Sequence, residues 1–160
     1  MKKDDSFLVK QITELDELIE IIMLFSDKFP YSFKTKEQKE QYAKKIYTYG
    51  HCLVCYLDEI PLGFATFYAN DTKTRCTYGS LLAIDSRNGF LRGLIWKELI
   101  AAVLKLAKES GMVFAVGEVR DNNEYARKQY EKMGMKLTER ASDHSSFVKG
   151  EIDTMLLRLR

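Results

Sequence analysis

A mixed α/β fold, in which an antiparallel meander is followed by a parallel crossover and closing strands, is predicted by three features of this sequence. Apolar runs at 52–57 and 62–68 are separated only by Asp58-Glu59-Ile60-Pro61, a connection short enough for an antiparallel hairpin. A third apolar run, 78–84, follows the polar turn 70–74 and leads through a polar turn at 85–93 into an amphipathic helix at 94–110, which Gly111 ends. A further apolar run, 112–119, comes directly after that helix. Strand, helix and strand in succession form a crossover unit, so 112–119 is expected parallel to 78–84.

The remaining elements follow from capping and periodicity. Residues 7–12 read as a first strand. Thr13 is placed to cap a helix with Asp16 in its first turn, whose buried stripe is Leu15, Leu18, Ile19, Ile22 and Phe25. Residues 26–34 break the pattern and carry Phe29, Pro30, Tyr31 and Phe33. These aromatics have two readings, the lining of a substrate pocket or anchors that pin a loop to the core. Thr35 and Gln38 make a capping box for a helix that runs to Tyr49, with Tyr42, Ile46 and Tyr49 on one side and Gly50 at its end. Asp121 and Glu124 have the same spacing and open a short helix through Tyr125, Ala126, Tyr130 and Met133, stopped by Gly134. Residues 135–139 and 154–159 are expected as the closing strands, with a Ser-rich, charged loop at 141–150 between them.

At 160 residues the chain is expected to form one domain over 1–160, large enough to bury a core. With 46% hydrophobic and 30% charged residues, its composition excludes a disordered chain. The net charge of +2 comes from dispersed Lys and Arg, so no nucleic-acid partner is expected. No apolar run approaches the ~20 residues of a membrane helix, and the N-terminus lacks the apolar core of a signal peptide. The expected location is therefore cytoplasmic, without a membrane partner. Cys52 and Cys55 form a C-x-x-C within a predicted strand, where residues three apart face opposite ways. With no second cysteine pair and only two histidines, no metal site is expected.

A helix that starts just after a glycine-bearing turn presents unpaired N–H groups and the positive end of its dipole, which suits a pyrophosphate. The same arrangement also connects strands to helices that bind nothing. Residues 122–135, NNEYARKQYEKMGM, narrow the choice. The sequence here resembles the GCN5-related N-acetyltransferase (GNAT) superfamily, whose members often read N-x-x-A-x-x-x-Y-E-K-x-G-F. The match falls on Asn123, Ala126, Tyr130, Glu131, Lys132 and Gly134, with Met135 in place of Phe. The strand Tyr78-x-Ser80-Leu81-Leu82-Ala83-Ile84 is similar to that family's central strand, and Pro61-Leu62-Gly63-Phe64 to its third strand.

The resemblance implies a GNAT-like acyl-CoA N-acyltransferase fold and transfer of an acetyl group from acetyl-CoA to an amine of a small molecule, amino sugar or peptide. It further implies that the central strand and its parallel neighbour splay apart, so that Leu82, Ala83 and Ile84 offer backbone groups to the pantetheine arm. Asn123 would contact the cofactor. Tyr130 would be the acid that protonates the departing thiolate, a role open to a phenol that is neutral at physiological pH. Glu118 is the nearest base by analogy, with water as the other choice. Phe29, Tyr31 and Phe33 would line the acceptor side, and a homodimer stays open as an assembly.

The family's pyrophosphate loop reads R/Q-x-x-G-x-G/A. In one register this falls on Asn88, Leu91 and Gly93, with Gly89 within it, so the first family glycine is a leucine. In the other, Arg92-Gly93 takes the Arg-Gly positions and Leu94, Ile95 or Trp96 falls where glycine is expected. Arg87 and Arg92 could add charge-assisted contacts to phosphate. Two classes of function remain: an N-acetyltransferase, or a catalytically degenerate relative that serves as a ligand sensor or interaction module. A generic nucleotide-binding α/β protein fits less well, because the early strands do not alternate with helices.

Overall fold

Seven strands and five α-helices make up the regular structure in the computed structural model, which describes residues 7–29, 33–85 and 89–160. In chain order they are β1 (Phe7–Gln11), α1 (Leu15–Phe25), a 3-10 turn (Ser26–Lys28), α2 (Lys36–Tyr49), β2 (His51–Leu57), β3 (Ile60–Tyr68), β4 (Cys76–Ile84), α3 (Gly89–Glu109), β5 (Phe114–Arg120), α4 (Glu124–Lys132), β6 (Lys136–Ser142), β7 (Ser145–Glu151) and α5 (Ile152–Arg158). The strands form one mixed sheet in the order β1-β2-β3-β4-β5-β7-β6. The chain divides into two compact units, Met1–Phe67 with Leu81–Ala102 and Tyr68–Ser80 with Val103–Arg160. Among the described residues no helix is long and apolar enough to cross a membrane.

In the first unit, β1 pairs antiparallel with β2, and β2 with β3. The β2–β3 turn is Asp58-Glu59, with φ of 49° and 70°. Left-handed φ at both positions is the type I′ geometry whose twist matches paired strands. The turn is thus shorter than the expected four residues, and Ile60 and Pro61 belong to β3. Pro61 sits opposite Tyr56 beside the bulge at Cys55/Tyr56, where a missing N–H disturbs the ladder least. The meander continues into β4: the Asp85 N–H donates to the Leu62 carbonyl at 2.7 Å and the Leu81 N–H to Thr66 Oγ1 at 3.0 Å, contacts that run in opposite directions along the two strands.

α1 buries Leu18, Ile21, Ile22 and Phe25. Its N-cap is Glu14, without a side-chain bond, so Thr13 does not take the capping role expected of it. Asp16 and Glu17 in the first turn favour the helix dipole instead. The Thr35 box is present in both halves: Thr35 Oγ1 accepts from the Gln38 N–H at 3.1 Å, and Gln38 Oε1 accepts from the Thr35 N–H at 3.2 Å. α2 buries Ala43 and Ile46, while Tyr49, expected on the covered side, is exposed.

α3 lies over β3 at Gly63. A Cβ added there would stand 3.0 Å from both the Ala83 carbonyl oxygen and Ile95 Cγ2, and 3.1 Å from Leu99 Cδ1. Because the Ala83 oxygen is backbone, the strain cannot be relieved by a rotamer change alone. Gly63→Ala is expected to cost about 1–3 kcal/mol, read as a lower urea midpoint with unchanged slope. An unchanged midpoint would show that α3 yields at this contact.

The second unit contains the parallel step and corrects the expected C-terminus. β4 pairs parallel with β5 through Cys76↔Phe114, Thr77↔Ala115 and Tyr78↔Val116, as the crossover predicts. β7 pairs antiparallel with β5 from Phe114↔Glu151 to Arg120↔Ser145, and β6 pairs with β7. The Ser-rich segment expected as a loop therefore holds β7, and the expected strand 154–159 is α5. Met155, Leu156 and Leu157 are consecutive apolar residues without strand alternation, and Ile152 and Met155, three apart, form the buried face of the helix. They close on Gly150, where a Cβ would meet Met155 Sδ at 3.0 Å.

Candidate active site

The ladder between β4 and β5 has three residue pairs, and both strands run beyond it, β4 to Ile84 and β5 to Arg120. A strand covered on one face should alternate between buried and exposed residues. In β4, Tyr78, Gly79 and Ser80 are instead exposed in succession, and in β5 Glu118 is exposed beside half-buried Gly117. The end of the ladder is therefore open to solvent within an interior strand.

Further along β4, Leu82 and Ile84 are half-buried and Ala83 is buried. The Leu81 N–H donates to the Thr66 side chain, a local departure from regular pairing. Thr66 Oγ1 lies 2.6 Å from Tyr42 Oη, so a helix hydroxyl and a strand hydroxyl together hold this part of β4. From sequence Tyr42 reads only as part of the covered side of its helix and Thr66 is not singled out, although it is a hydroxyl within the apolar run 64–67.

α3 begins at Gly89, five residues before the predicted start, so Gly89, Leu91, Arg92 and Gly93 lie in its first turns rather than in a preceding loop. Asn88 and Arg87 lie outside the described residues. The early start alters the meaning of the bulky segment: Ile95 and Trp96 are buried, at 1% and 4% exposure, and face the core rather than the helix terminus. A Cβ at Gly89 or Gly93 would meet no atom within 4 Å, and Phe90 is 85% exposed. The N–H groups of the first helical turn have no intrahelical acceptor and carry the positive end of the dipole. An anion could thus approach this terminus without a clash at either glycine.

Asn123, Tyr130 and Glu118 all belong to the second unit. Asn123 is the N-cap of α4, and its Oδ1 accepts from the Ala126 N–H at 3.1 Å, so the cap is Asn123 rather than the expected Asp121. Asp121 instead makes a bidentate pair with Arg140, at 3.0 and 2.9 Å, whose hydrogen bonds hold its carboxyl below the usual range. α4 presents Tyr130 towards Gly117, where a Cβ would stand 3.6 Å from Tyr130 Oη. Burial of the phenol pushes its pKa up to about 12, so it keeps its proton throughout the neutral range. Glu118 Oε2 accepts a hydrogen bond from Ser145 Oγ at 2.9 Å.

Phe29 and Phe33 pack as an aromatic cluster in the first unit. Their centroids are 6.0 Å apart, Phe29 is 6.0 Å from Phe64, and Phe33 is 5.3 Å from Tyr42. Tyr31 lies outside the described residues. Cys52 and Cys55 are buried free thiols whose pKa values are pushed up to about 12 and about 11, chiefly by burial. Among the described residues no group of three or more His, Cys, Asp or Glu side chains is placed to hold a metal.

Comparison with known proteins bears on both fold and family. The family model described as "Acetyltransferase (GNAT) family" matches residues 18–135. The chain belongs to the GNAT acetyltransferase family. Solved structures agree on the fold. A domain from Methanocaldococcus jannaschii superposes with TM-score 0.72 at 21% identity, covering 92% of this chain and 99% of that one. yncA from Salmonella typhimurium, solved with its cofactor acetyl-CoA, superposes with TM-score 0.68 at 11% identity, covering 92% and 94%. The paia N-acetyltransferase from Thermoplasma acidophilum, in complex with coenzyme A, gives 0.65 at 15% identity, covering 91% and 99%. No protein of curated function matches the sequence. Residues 122–135, whose sequence resembles the family's motif, hold both the cap Asn123 and Tyr130.

Proposed function

We propose that this GNAT protein is an N-acetyltransferase that moves an acetyl group from acetyl-CoA to a primary amine by direct attack in a ternary complex. The observation that carries the reading is Tyr130, a half-buried phenol that keeps its proton and packs over Gly117, next to the end of the β4–β5 ladder. The fit to the cofactor rests on the first two turns of α3, where neither Gly89 nor Gly93 carries a side chain and a Cβ at either would meet no atom within 4 Å. Gly89 and Leu91 offer backbone N–H groups there to a pyrophosphate, and Arg92 adds charge at Gly93. Leu82, Ala83 and Ile84 offer backbone groups to the pantetheine arm, and Asn123 contacts the cofactor from the start of α4.

Acetyl-CoA supplies a thioester, whose acyl carbon takes the amine lone pair and whose sulfur leaves as a thiolate. Glu118 first takes a proton from the substrate ammonium, directly or through one water, which frees the lone pair that attacks. Tyr130 gives its proton to the leaving sulfur and regains one from the nitrogen through solvent. The sum is one amide, one thiol and one proton released. Phe29, Tyr31 and Phe33 border the acceptor, and the protein works in the cytoplasm.

A thermal-shift titration tests the reading first. At 100 times its Kd a ligand stabilises the native state by about 2.7 kcal/mol, which for this size raises Tm by roughly 5–11 °C. That rise is expected with acetyl-CoA, followed by turnover of at least one member of an amine panel, with dephospho-CoA as the comparison. No rise at millimolar acetyl-CoA would favour the degenerate, ligand-sensing alternative.

A further inference from the structure

Ser145 opens β7 with its side chain buried, at 1% exposure. Its Oγ donates to Glu118 Oε2 at 2.9 Å and lies 2.8 Å from Ser142 Oγ. A hydroxyl has one proton to donate, and a carboxylate only accepts. The Ser145 proton is therefore committed to Glu118, and Ser142 must donate to Ser145. Ser142 Oγ accepts in turn from the His144 N–H at 3.2 Å. The result is a relay with one direction, from the backbone of the hairpin turn through two hydroxyls to the carboxylate.

Both ends of this relay are anchored. The Asp121 N–H donates to the His144 carbonyl at 2.8 Å, so the hairpin turn is tied to the residues that follow β5. Arg140 grips Asp121 through both carboxylate oxygens and also donates to the Asp143 carbonyl at 2.6 Å. Arg127 adds a longer contact to Asp121 at 3.8 Å. The β6–β7 turn is thereby held against the strand that carries Glu118. An exposed glutamate on a strand ordinarily samples several rotamers; this one has an oxygen committed to a buried donor.

We propose that Ser145, oriented by Ser142, is a positioning residue that holds the Glu118 carboxylate in one rotamer and leaves Oε1 to the substrate amine. The positioning stands on the hydrogen bonds alone. Its catalytic consequence rests on the reading of Glu118 given under the proposed function.

The test has a spectroscopic and a kinetic arm. With 13C-labelled glutamate, the Glu118 Cδ resonance is identified by its loss in Glu118→Gln. It is expected to move in Ser145→Ala and to return in Ser145→Thr, which restores the hydroxyl. Should Ser145→Ala fail to fold, Ser142→Ala, which keeps the donor but removes its orienting partner, is expected to shift the same resonance. In the kinetic arm Ser145→Ala lowers kcat roughly tenfold with the KM for acetyl-CoA unchanged, and Ser145→Thr recovers the rate. In the Glu118→Gln background the Ser145→Ala loss disappears, because the partner it acts through is gone. An unmoved Glu118 resonance, or a tenfold loss that recurs in the Glu118→Gln background, overturns the proposal. A wild-type chain without turnover would sink the acetyltransferase reading, while the resonance would still decide the positioning.

Discussion

Replacing Tyr130 by phenylalanine is expected to lower kcat by roughly 10²- to 10⁴-fold while the KM for acetyl-CoA stays within a factor of about two. The substitution removes one oxygen and keeps the ring that packs over Gly117, so fold and cofactor affinity should survive. The pH dependence follows from the direction of the shift. Burial raises the phenol to about 12, above the ordinary value of 10, so the donor form is complete at neutral pH and is lost only as pH rises towards 12. The wild-type rate should therefore show no alkaline fall from this group between about pH 7 and 10. Release of CoA can be followed with a thiol reagent, because Cys52, Cys55 and Cys76 are buried and contribute little background. A Tyr130→Phe variant that turns over at the wild-type rate would remove Tyr130 from the acid role.

Where local chemistry decides structure, the sequence was legible. The Thr35 box closes as its spacing requires, the two apolar runs around Asp58 pair as a hairpin, and the crossover makes β5 parallel to β4. Reading failed where tertiary packing overrode local preference. Gly89 and Gly93 suggested a turn, since a glycine inside a helix costs about 1 kcal/mol relative to alanine. The helix nevertheless starts at Gly89, and its buried residues Ile95, Trp96 and Leu99 follow the two glycines. Ser145 and Ser146 disguised β7 as a loop because hydroxyls rarely mark a buried strand, yet both are buried here. That error hid part of the candidate site. Tyr130 and Asn123 could be found from a local motif, whereas the bond from Ser145 to Glu118 exists only because β7 lies beside β5.

Phe64→Ala is the substitution expected to cost the most stability. Phe64 is 0% exposed, in van der Waals reach of the Phe25 ring at 5.2 Å between centroids and edge-on to Phe29 at 6.0 Å. Truncating a buried phenylalanine loses transfer free energy and leaves a cavity, about 3–5 kcal/mol together. For a chain of this size that lowers Tm by roughly 6–20 °C, measurable by calorimetry. Phe64→Leu retains most of the volume and should cost less, leaving enough folded protein to assay. The pair also separates the two readings of the aromatic segment. If Phe29 and Phe33 serve only as anchors, Phe64→Leu changes stability and leaves the acceptor KM alone. If they border the acceptor, loosening Phe29 raises the acceptor KM while the KM for acetyl-CoA and the effect of Tyr130→Phe are unchanged, because those depend on other residues.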